Sequence, residues 1–258
     1  RTTWLERAQC GLAVTRWHTT LGRTRSTVAG MTHRHWEIDW FEHRGARIRY
    51  GWMRSDRARG IAILLPGRTE FLEKYEETGE DLAKRGFDVL CLDWRGQGLS
   101  TRALKNRHRG HIDSYDTYVE DLVALLKHAG VTASEDHKVM VAHSMSGLTA
   151  LLFCVREPRA VDQVVATGPM WGIPPKVPDL LMHLGVMCVV AVGFGEWYFK
   201  NGDYGPHSVD FAPNIVTNDR RRWQRTCDHV ARNPQLALGG FTWAWLSASL
   251  GGMRRARR

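Results

Sequence analysis

The sequence predicts an α/β fold with a mostly parallel, doubly wound sheet and a helical cap. Short continuous apolar segments, typical of strands buried on both faces, alternate with longer segments whose apolar residues recur at helical spacing. Strands and helices that alternate in this way pair in parallel through right-handed crossovers. A third observation is that Ser144 lies just after the end of one of the apolar segments, next to small residues. In such sheets, functional residues lie at the carboxyl ends of strands.

Three predicted strands precede the first helix. Trp36–Phe41 and Arg47–Trp52 alternate between apolar and polar residues, and the turn between them contains Gly45. Ile61–Leu65 is apolar throughout, so we expect a strand that is buried on both faces. A proline and a glycine follow it and end it.

Helices and buried strands then alternate as far as Thr167. A polar-faced helix is predicted over Leu72–Arg85, where Gly86 ends it, and the apolar residues between Tyr115 and Leu126 indicate a second helix by their spacing. The other predicted core elements are the strand Phe87–Leu92, the strand His137–Ala142, the helix Gly147–Val155 and the strand Ala160–Thr167.

Beyond Thr167 the pattern changes. Prolines and aromatic residues become frequent and no buried strand is evident up to Leu250, so we predict a mostly helical cap over the carboxyl edge of the sheet. The apolar segment Leu180–Phe194 contains a histidine and is too short to cross a bilayer, which favours a buried or interfacial helix. The predicted boundaries are a basic arm over residues 1–30, a core over 31–168, the cap over 169–250 and a basic tail over 251–258.

The N-terminal arm is rich in arginine and threonine, and its only acidic residue is Glu6. Two interpretations stay open: a disordered arm, or an upstream extension that is not part of the folded protein. The arm lacks the apolar run of a secretory signal peptide.

The composition favours one class of protein and argues against several others. A chain of 258 residues that is 43% hydrophobic can form one large α/β domain. The formal net charge is +9, but arginines gather at the two ends and residues 70–93 are rich in acids, so no nucleic-acid partner is predicted. The 5 cysteines are scattered and form no C-x-x-C pair, which argues against a disulfide framework and a zinc site. Cys91 and Cys154 lie in apolar segments, which predicts buried thiols in a reducing, cytoplasmic compartment.

Ser144 is the candidate nucleophile. It stands between the predicted strand His137–Ala142 and the predicted helix Gly147–Val155, as the serine of a nucleophile elbow does. The pattern G-x-S-x-G has small residues two positions before and after the serine, and Ala142 and Ser146 occupy those places here. A serine between two small residues is common, so the strand–turn–helix setting carries the prediction.

Four motifs follow one another along the chain. They are Leu65-Pro66-Gly67-Arg68-Thr69-Glu70-Phe71-Leu72-Glu73-Lys74-Tyr75, Asp93-Trp94-Arg95-Gly96-Gln97-Gly98-Leu99-Ser100, Arg109-Gly110-His111-Ile112-Asp113 and Ala142-His143-Ser144-Met145-Ser146-Gly147. In this order and at this spacing they resemble the α/β-hydrolase group of bacterial lysophospholipases and monoacylglycerol lipases, over about Trp36–Leu250. The resemblance implies the α/β-hydrolase fold and hydrolysis of carboxylic esters of lipids. It implies lysophospholipids or monoacylglycerols as substrates, with no cofactor or metal.

The resemblance also implies roles for three residues. Ser144 would attack the ester carbonyl and form an acyl-enzyme, which water then hydrolyses. The backbone N–H groups of Met145 and Arg68 would bind the oxyanion of the tetrahedral intermediate. The positive charge and the Leu180–Phe194 helix would suit peripheral contact with an anionic membrane, at its inner face.

Two other polar motifs have competing interpretations. A structural loop is favoured for Asp93–Ser100, tied to its neighbours by Asp93 and Arg95. A phosphate-binding loop is the alternative, and it is disfavoured because no Lys-Ser/Thr pair follows the glycines. His108, His111 and Asp113 have a spacing that a metal site can use, but the family motif accounts for His111, so a loop role is favoured.

The general base and its orienting carboxylate are missing from the expected positions. In this fold they follow the serine, in the order acid then histidine, at the ends of the last two strands, and only Ala160–Thr167 follows Ser144 as a predicted strand. We therefore expect a C-terminally truncated or frameshifted chain that lacks the last strands. The candidates within the chain lie in the predicted cap and are Asp203 with His207, and Asp219 or Asp228 with His229.

Two further functions stay open on the same residues. One is non-catalytic binding of a lipid or a partner through the cap, for which replacing Ser144 changes nothing. The other is acyltransferase or peptidase chemistry on the same fold, which product analysis with an alcohol acceptor or an aminoacyl substrate separates from hydrolysis.

Overall fold

The computed structural model describes residues 11–13, 35–172, 179–205, 208–214 and 216–257. Within them the strands are β1 (Gly11–Ala13), β2 (Glu37–His43), β3 (Ala46–Met53), β4 (Ile61–Leu65), β5 (Asp88–Leu92), β6 (Lys138–His143), β7 (Gln163–Thr167), β8 (Tyr198–Lys200) and β9 (Phe241–Thr242). The α-helices are α1 (Glu76–Lys84), α2 (Tyr115–His128), α3 (Met145–Arg156), α4 (Asp179–Val189), α5 (Arg220–Arg232) and α6 (Trp243–Ala256). Short 3-10 helices cover Leu72–Tyr75 and Pro234–Leu236, and a π-helical turn covers Val190–Phe194.

Seven of the nine described strands form one sheet in the order β1-β7-β6-β4-β5-β3-β2. β4 pairs in parallel with β5 and with β6, and β7 pairs in parallel with β6 and with β1. β3 is antiparallel to both of its neighbours, β2 and β5. The sheet is therefore mostly parallel, which confirms the predicted fold class. Most of the basic arm predicted over residues 1–30 lies outside the described residues.

Alternating side chains of the central strands pack into two apolar clusters, one on each face of the sheet. Every residue of β4 is buried. Ile63 and Leu90 face the larger cluster, which includes residues of α2, α3 and α6, whereas Leu64 and Val89 face a smaller cluster beside α1. Burial stabilises each such side chain by about 1.5–3 kcal/mol, so these apolar strands hold the sheet between two helical layers.

After β7 the chain forms the predicted helical cap, with α4, α5 and α6 and a short antiparallel pair, β8 and β9. α6 runs through Leu250, the sequence-based end of the cap, because Leu250 and Met253 continue its buried face. The apolar segment from Leu180 is largely exposed, which excludes a buried helix: Leu181 is 61% exposed, and Val186 is buried against α6. No helix in the described part of the chain is long and apolar enough to cross a bilayer.

The cysteines that the structure describes are all free thiols. Cys91 and Cys154 are buried, as their apolar segments predict, whereas Cys188 is exposed and Cys227 is half-buried.

Candidate active site

Ser144 lies on a sharp turn between β6 and α3. Its φ of 53° and ψ of −115° place a non-glycine residue in a sparsely populated region, which costs of order 1–3 kcal/mol. The N–H of Ser144 donates to the carbonyl of Thr167 at 3.0 Å, and its own carbonyl accepts from the N–H groups of Gly147 and Met170 at 2.9 Å. The strained turn is therefore fixed by β7 and by the loop that follows it. The predicted strand–turn–helix setting of Ser144 is confirmed.

The two small residues that flank the turn are fully buried, and one of them also forms hydrogen bonds. Ala142 and Ser146 have no measurable exposure. The Ser146 hydroxyl donates to the carbonyl of Pro66 and accepts from Trp94 Nε1 at 2.8 Å. The serine in place of glycine thus ties the elbow to the loop after β4. The sequence pattern, which considers only the size of this residue, gives no sign of that contact.

The loop Pro66–Glu70 leaves β4 beside the elbow. The N–H of Gly67 donates to the Glu70 carboxylate at 2.5 Å, and the N–H of Thr69 donates to Gln97 Oε1 at 2.6 Å. The residues on both sides of Arg68 are thus committed to protein partners, which makes the N–H of Arg68 the loop's candidate donor to a substrate. The second candidate donor is Met145, the first residue of α3, because the first N–H groups of a helix have no partner within it.

Gly67 is required by its protein neighbours. A Cβ at this position would lie 2.8 Å from Glu70 Oε2 and 3.1 Å from His143 Cδ2. The loop therefore passes so close to the elbow that only glycine fits without displacement of its neighbours.

The carboxylate of Glu70 holds this loop in place by hydrogen bonding. The carboxylate is buried and accepts from Lys74 Nζ and from the Tyr75 hydroxyl, each at 2.5 Å, in addition to the N–H of Gly67. Burial by itself raises the pKa of Glu70, but Lys74 and then His143 outweigh burial and lower the pKa below its ordinary value. Glu70 is therefore ionised at neutral pH and keeps all three donors.

A cleft with a volume of about 950 Å³ opens between the elbow and the cap. Ser144 and Arg68 both line it, so the structure brings two of the three predicted site residues to one cavity. The third, Met145, is buried at the start of α3, directly after Ser144. The apolar lining includes Phe71, Tyr204, Trp223, Val230, Leu236 and Leu238. Volumes of several hundred Å³ with mostly apolar walls are typical of small-molecule sites.

Of the first cap candidate for the acid and base, the structure describes only the acid, Asp203. Asp203 accepts from Asn106 Nδ2 at 2.9 Å and from the Tyr198 hydroxyl. Its predicted partner His207 lies outside the described residues.

The other cap candidates have structural contacts. Asp219 caps the N-terminus of α5, and Asp228 accepts from Gln224 Nε2 at 2.9 Å. The ring of His229 packs edge-on against Phe71, with the centroids 6.1 Å apart. In the part of the chain that the structure describes, no histidine forms a hydrogen bond with the Ser144 side chain.

Asp93 organises the glycine-rich loop as a structural residue. Its carboxylate accepts from the N–H groups of Leu72 and Leu99, both at 2.9 Å, and from Arg49 Nη1 at 3.2 Å. Gly98 has a φ of +50°, and a Cβ there would lie 2.2 Å from Asp93 Cγ. The loop therefore closes over its own carboxylate, which confirms the structural interpretation.

The same loop is tied to α2 by Arg95. Its guanidinium donates to both oxygens of Asp121, at 2.8 and 2.7 Å. Asp121 is fully buried and also lies 2.8 Å from His43 Nδ1. A buried carboxylate paired in this way fixes the loop against the helix, and breaking such a pair is strongly destabilising.

Of the three residues considered for a metal site, His111 and Asp113 contact each other, and His108 is engaged elsewhere. His111 Nδ1 lies 3.0 Å from Thr242 Oγ1, and His111 Nε2 lies 3.1 Å from Asp113 Oδ1. His108 Nδ1 instead accepts from the N–H of Tyr204 at 3.0 Å. Both histidines connect the core loop to the cap, in agreement with the loop role that the sequence favours.

Comparison with known proteins identifies the relatives of this chain. Residues 56–258 match the family described as serine aminopeptidase, S33. The chain is 32% identical to lysophospholipase L2 of Escherichia coli strain K12 over 212 residues, which are 79% of this chain and 60% of that protein. It is 29% identical to the probable lysophospholipase L2 of Haemophilus influenzae over 198 residues, which are 76% of this chain and 62% of that protein. The chain thus spans about 60% of the length of these curated relatives.

Solved structures share the fold. A soluble variant of monoglyceride lipase from Saccharomyces cerevisiae, in complex with a substrate analogue, aligns with a TM-score of 0.63 at 16% identity, over 90% of this chain and 72% of that one. The monoacylglycerol lipase of Paleococcus ferrophilus aligns with a TM-score of 0.58 at 20% identity, over 81% of this chain and 71% of that one. The resemblance carried by the four sequence motifs is confirmed: the chain belongs to the serine aminopeptidase S33 family of α/β-hydrolases.

Proposed function

We propose that this protein hydrolyses carboxylic esters of lipids, lysophospholipids or monoacylglycerols, through an acyl-enzyme on Ser144. The observation that carries the proposal is the placement of Ser144 on a strained elbow at the base of a cleft with apolar walls. Such a cleft can accept an acyl chain. The names of the relatives, lysophospholipase and monoacylglycerol lipase, support this substrate class.

The proposed reaction follows from the geometry of the elbow. The Ser144 hydroxyl attacks the ester carbonyl as its proton passes to a general base, and the N–H groups of Met145 and Arg68 bind the resulting oxyanion. Collapse of this intermediate breaks the ester C–O bond and releases the alcohol, and water then attacks the acyl-serine to release the fatty acid. One such N–H donor contributes about a hundredfold to a thousandfold to kcat.

The proposed reaction needs a base that none of the described histidines supplies by a hydrogen bond to Ser144. A serine hydroxyl without a base is a weak nucleophile. Acylation of Ser144 is therefore measured separately from release of fatty acid, since the first step reports on the nucleophile and the second on the complete catalytic set.

The test uses 1-palmitoyl lysophosphatidylethanolamine and 1-palmitoylglycerol as substrates, with mass spectrometry of the released palmitate, and a fluorophosphonate followed by intact mass. We expect Ser144→Ala to abolish both signals. Ser208→Ala is the matched control, because Ser208 is another serine that lines the same cleft, and it should keep both. Palmitate release or labelling that persists in Ser144→Ala contradicts the proposal. Lipid binding without either signal in the unmodified chain favours the non-catalytic alternative.

A peptidase is the second candidate, because the matching family is described as a serine aminopeptidase. Recognition of a free α-amino group requires an uncommitted acidic residue in the cleft. Glu70 is held by three donors, and Asp210 is an exposed residue that accepts from the N–H of Ala212. The charges of the cleft therefore favour an anionic or neutral substrate. Release of an arylamine from an aminoacyl arylamide, lost in Ser144→Ala, would support the peptidase instead.

We also propose that the cap makes peripheral contact with an anionic bilayer, such as the inner face of the cytoplasmic membrane. The exposed apolar residues of the segment after residue 179 are Leu180, Leu181, Leu184, Met187, Val192, Phe194 and Trp197. The last turn of α6, which packs against this segment, contains Arg254 and Arg255, and Arg257 follows the helix. An exposed apolar face beside basic residues is typical of an interfacial helix.

Vesicle sedimentation tests the membrane contact. The unmodified chain should sediment with phosphatidylglycerol vesicles more than with phosphatidylcholine vesicles. Leu181→Glu combined with Leu184→Glu should reduce sedimentation severalfold. Val155→Glu is the matched control, because Val155 is an exposed apolar residue of α3, outside this segment. An equal loss in the control variant would contradict the assignment of this face.

A further inference from the structure

Arg68 lines the cleft, and its side chain is a largely buried cation beside Gly239, which lines the cleft as well. Its Nη1 and Nη2 atoms donate to one backbone carbonyl, that of Gly239, at 3.1 and 2.9 Å. Its Cζ atom lies 5.3 Å from the ring centroid of Phe241 and 5.7 Å from that of Trp245. Within the described residues the guanidinium forms no ion pair with a carboxylate.

Arg68 differs in this respect from Arg49 and Arg95, two other buried arginines near the site, whereas Arg102 also lacks a carboxylate partner but donates to four backbone carbonyls. Arg49 is paired with Glu73 and Asp93, and Arg95 is paired with Asp121. A charge removed from water without a partner is costly, and a single carbonyl compensates it only in part. Burial lowers the pKa of Arg68 to about 10, so the group is still cationic at neutral pH.

The surrounding charges leave the cleft positive. Lys74 and Arg222 also line it, but Lys74 is paired with Glu70 and Arg222 with Glu77. Among the described residues, Lys200 lines the cleft without an ion pair, against the exposed acidic residue Asp210. Glu70 is already saturated by its three donors. An anionic ligand therefore gains from the charges of the cleft, and the buried guanidinium gains a counter-ion when that ligand binds.

We propose that the guanidinium of Arg68 binds the phosphodiester of a lysophospholipid and thereby makes the cleft selective for lysophospholipids over monoacylglycerols. This inference rests on the proposed function, because it adds the substrate class to the same site. A guanidinium has five N–H groups in a planar fork, so the contacts to Gly239 leave donors for phosphate oxygens.

The length of the arginine side chain fits this arrangement. About six covalent bonds separate the ester carbonyl carbon of a 1-acyl lysophospholipid from its phosphorus, and about six separate the backbone nitrogen of an arginine from its Cζ, so both span roughly 7 Å when extended. The backbone N–H of Arg68 can therefore meet the oxyanion while its guanidinium meets the phosphodiester of the same substrate. A monoacylglycerol reaches only the first of these contacts.

The experiment compares kcat/KM for 1-palmitoyl lysophosphatidylethanolamine and for 1-palmitoylglycerol in the same detergent micelles. In Arg68→Met, the ratio of lysophospholipid to monoacylglycerol should fall about tenfold to hundredfold, mainly through KM, because a hydrogen-bonded charge contact is lost for one substrate only. In Arg68→Lys, this ratio should fall less, because lysine keeps the positive charge and loses only the planar fork of N–H donors. The matched control is Arg221→Met, which removes an exposed cap arginine that does not line the cleft, and its ratio should stay within twofold.

A different outcome is expected if the Arg68 side chain has only a structural role and serves to link the loop to the carbonyl of Gly239. Both substrates would then lose activity to the same extent, and the ratio would be unchanged, which overturns the proposal. If Arg68→Met does not fold, competition on the unmodified protein decides. sn-Glycerol 3-phosphate should inhibit competitively and better than glycerol or inorganic phosphate, and equal inhibition by the three overturns the proposal.

A protein that hydrolyses neither ester can still be tested for the phosphate contact. If neither ester is hydrolysed, calorimetry with ether-linked analogues, which contain no scissile ester, measures binding alone. Binding of 1-O-hexadecyl lysophospholipid that is at least tenfold tighter than that of 1-O-hexadecylglycerol, and that loses this advantage in Arg68→Met, supports the phosphate contact without any turnover. Equal affinities for the two ethers overturn it.

Discussion

Replacement of Glu70 by glutamine tests how the loop beside Ser144 is held. The carboxylate accepts from the Gly67 N–H, from Lys74 Nζ and from the Tyr75 hydroxyl, all at 2.5 Å, in a buried position. Glutamine keeps one oxygen acceptor but replaces the other oxygen with an NH₂ group, so one buried donor then faces another donor. An unsatisfied buried polar group costs about 1–3 kcal/mol, and we expect the free energy of unfolding to fall by that amount at pH 7.

The activity should fall together with the stability. The N–H of Arg68 follows Gly67 directly, so a loop that shifts after the loss of the Gly67 contact moves a proposed oxyanion donor. Misplacement by about 1 Å, or loss of one such donor, lowers kcat by roughly a hundredfold. KM should change less, because the lining of the cleft by cap residues is unaltered.

The pH dependence gives a second, independent signature. The pKa of Glu70 is lower in the folded protein than its ordinary value, so the unfolded chain takes up this proton first on acidification. The stabilisation by Glu70 is therefore fully present above the unfolded pKa, about 4.3, and is lost as the pH falls through the folded pKa. The unmodified protein should lose stability more steeply on acidification than Glu70→Gln.

Urea unfolding at pH 7 and at pH 4, followed by tryptophan fluorescence, measures both effects. Tyr75→Phe is the control variant, because it removes one donor and leaves the carboxylate with its other two partners. Its midpoint should lie between those of the unmodified protein and Glu70→Gln. A Glu70→Gln variant with unchanged stability at pH 7, or with the same acid dependence as the unmodified protein, would refute the reasoning.

Three further substitutions test contacts that hold the site, each by urea unfolding. Ser146→Gly, which restores the glycine of the family pattern, should lower the free energy of unfolding by about 1 kcal/mol, because the buried hydrogen bond to the Pro66 carbonyl is lost; unchanged stability would contradict that contact. Gly98→Ala should lower the free energy of unfolding by more than about 4 kcal/mol, because its Cβ would overlap a buried carboxylate. Gly130→Ala is the control, because Gly130 has a similar positive φ and open space around it. It should lower the free energy of unfolding by about 1–2 kcal/mol. Equal losses for the two glycine variants would contradict the steric reason. Thr242→Ala should cost about 1 kcal/mol by removing the N-cap of α6, and Thr242→Ser should restore most of it.

The sequence predicts the elements whose burial is local and periodic. β4 has the bounds of the apolar run Ile61–Leu65 because a strand buried on both faces needs apolar residues at every position. The buried residues of α2 lie at the predicted helical spacing for the same kind of reason. The α3 helix begins at Met145, two residues before its predicted start, because Ser144 itself is the N-cap residue.

Other features depend on tertiary contacts that no local pattern contains. β8 and β9 are three and two residues long, and they pair across a separation of about forty residues, so neither segment carries a periodic signal. The exposure of the Leu180–Phe194 segment is likewise decided by what packs on it. Hydropathy alone shows that the segment is apolar, whereas the structure shows that only part of it, around Val186, has a packing partner in α6.

The departure from glycine at residue 146 has a consequence for the proposed chemistry. The two proposed oxyanion donors belong to separate segments, Met145 to α3 and Arg68 to the loop after β4, and they act together only if these segments keep a fixed relative position. The Ser146 hydroxyl bonds to the Pro66 carbonyl, and Trp94 Nε1 donates to both of these oxygens, at 2.8 and 2.9 Å. A glycine at position 146 has no side chain with which to join the segments. The serine therefore fixes the distance between the two donors, which accounts for its presence at a position where size alone favours glycine.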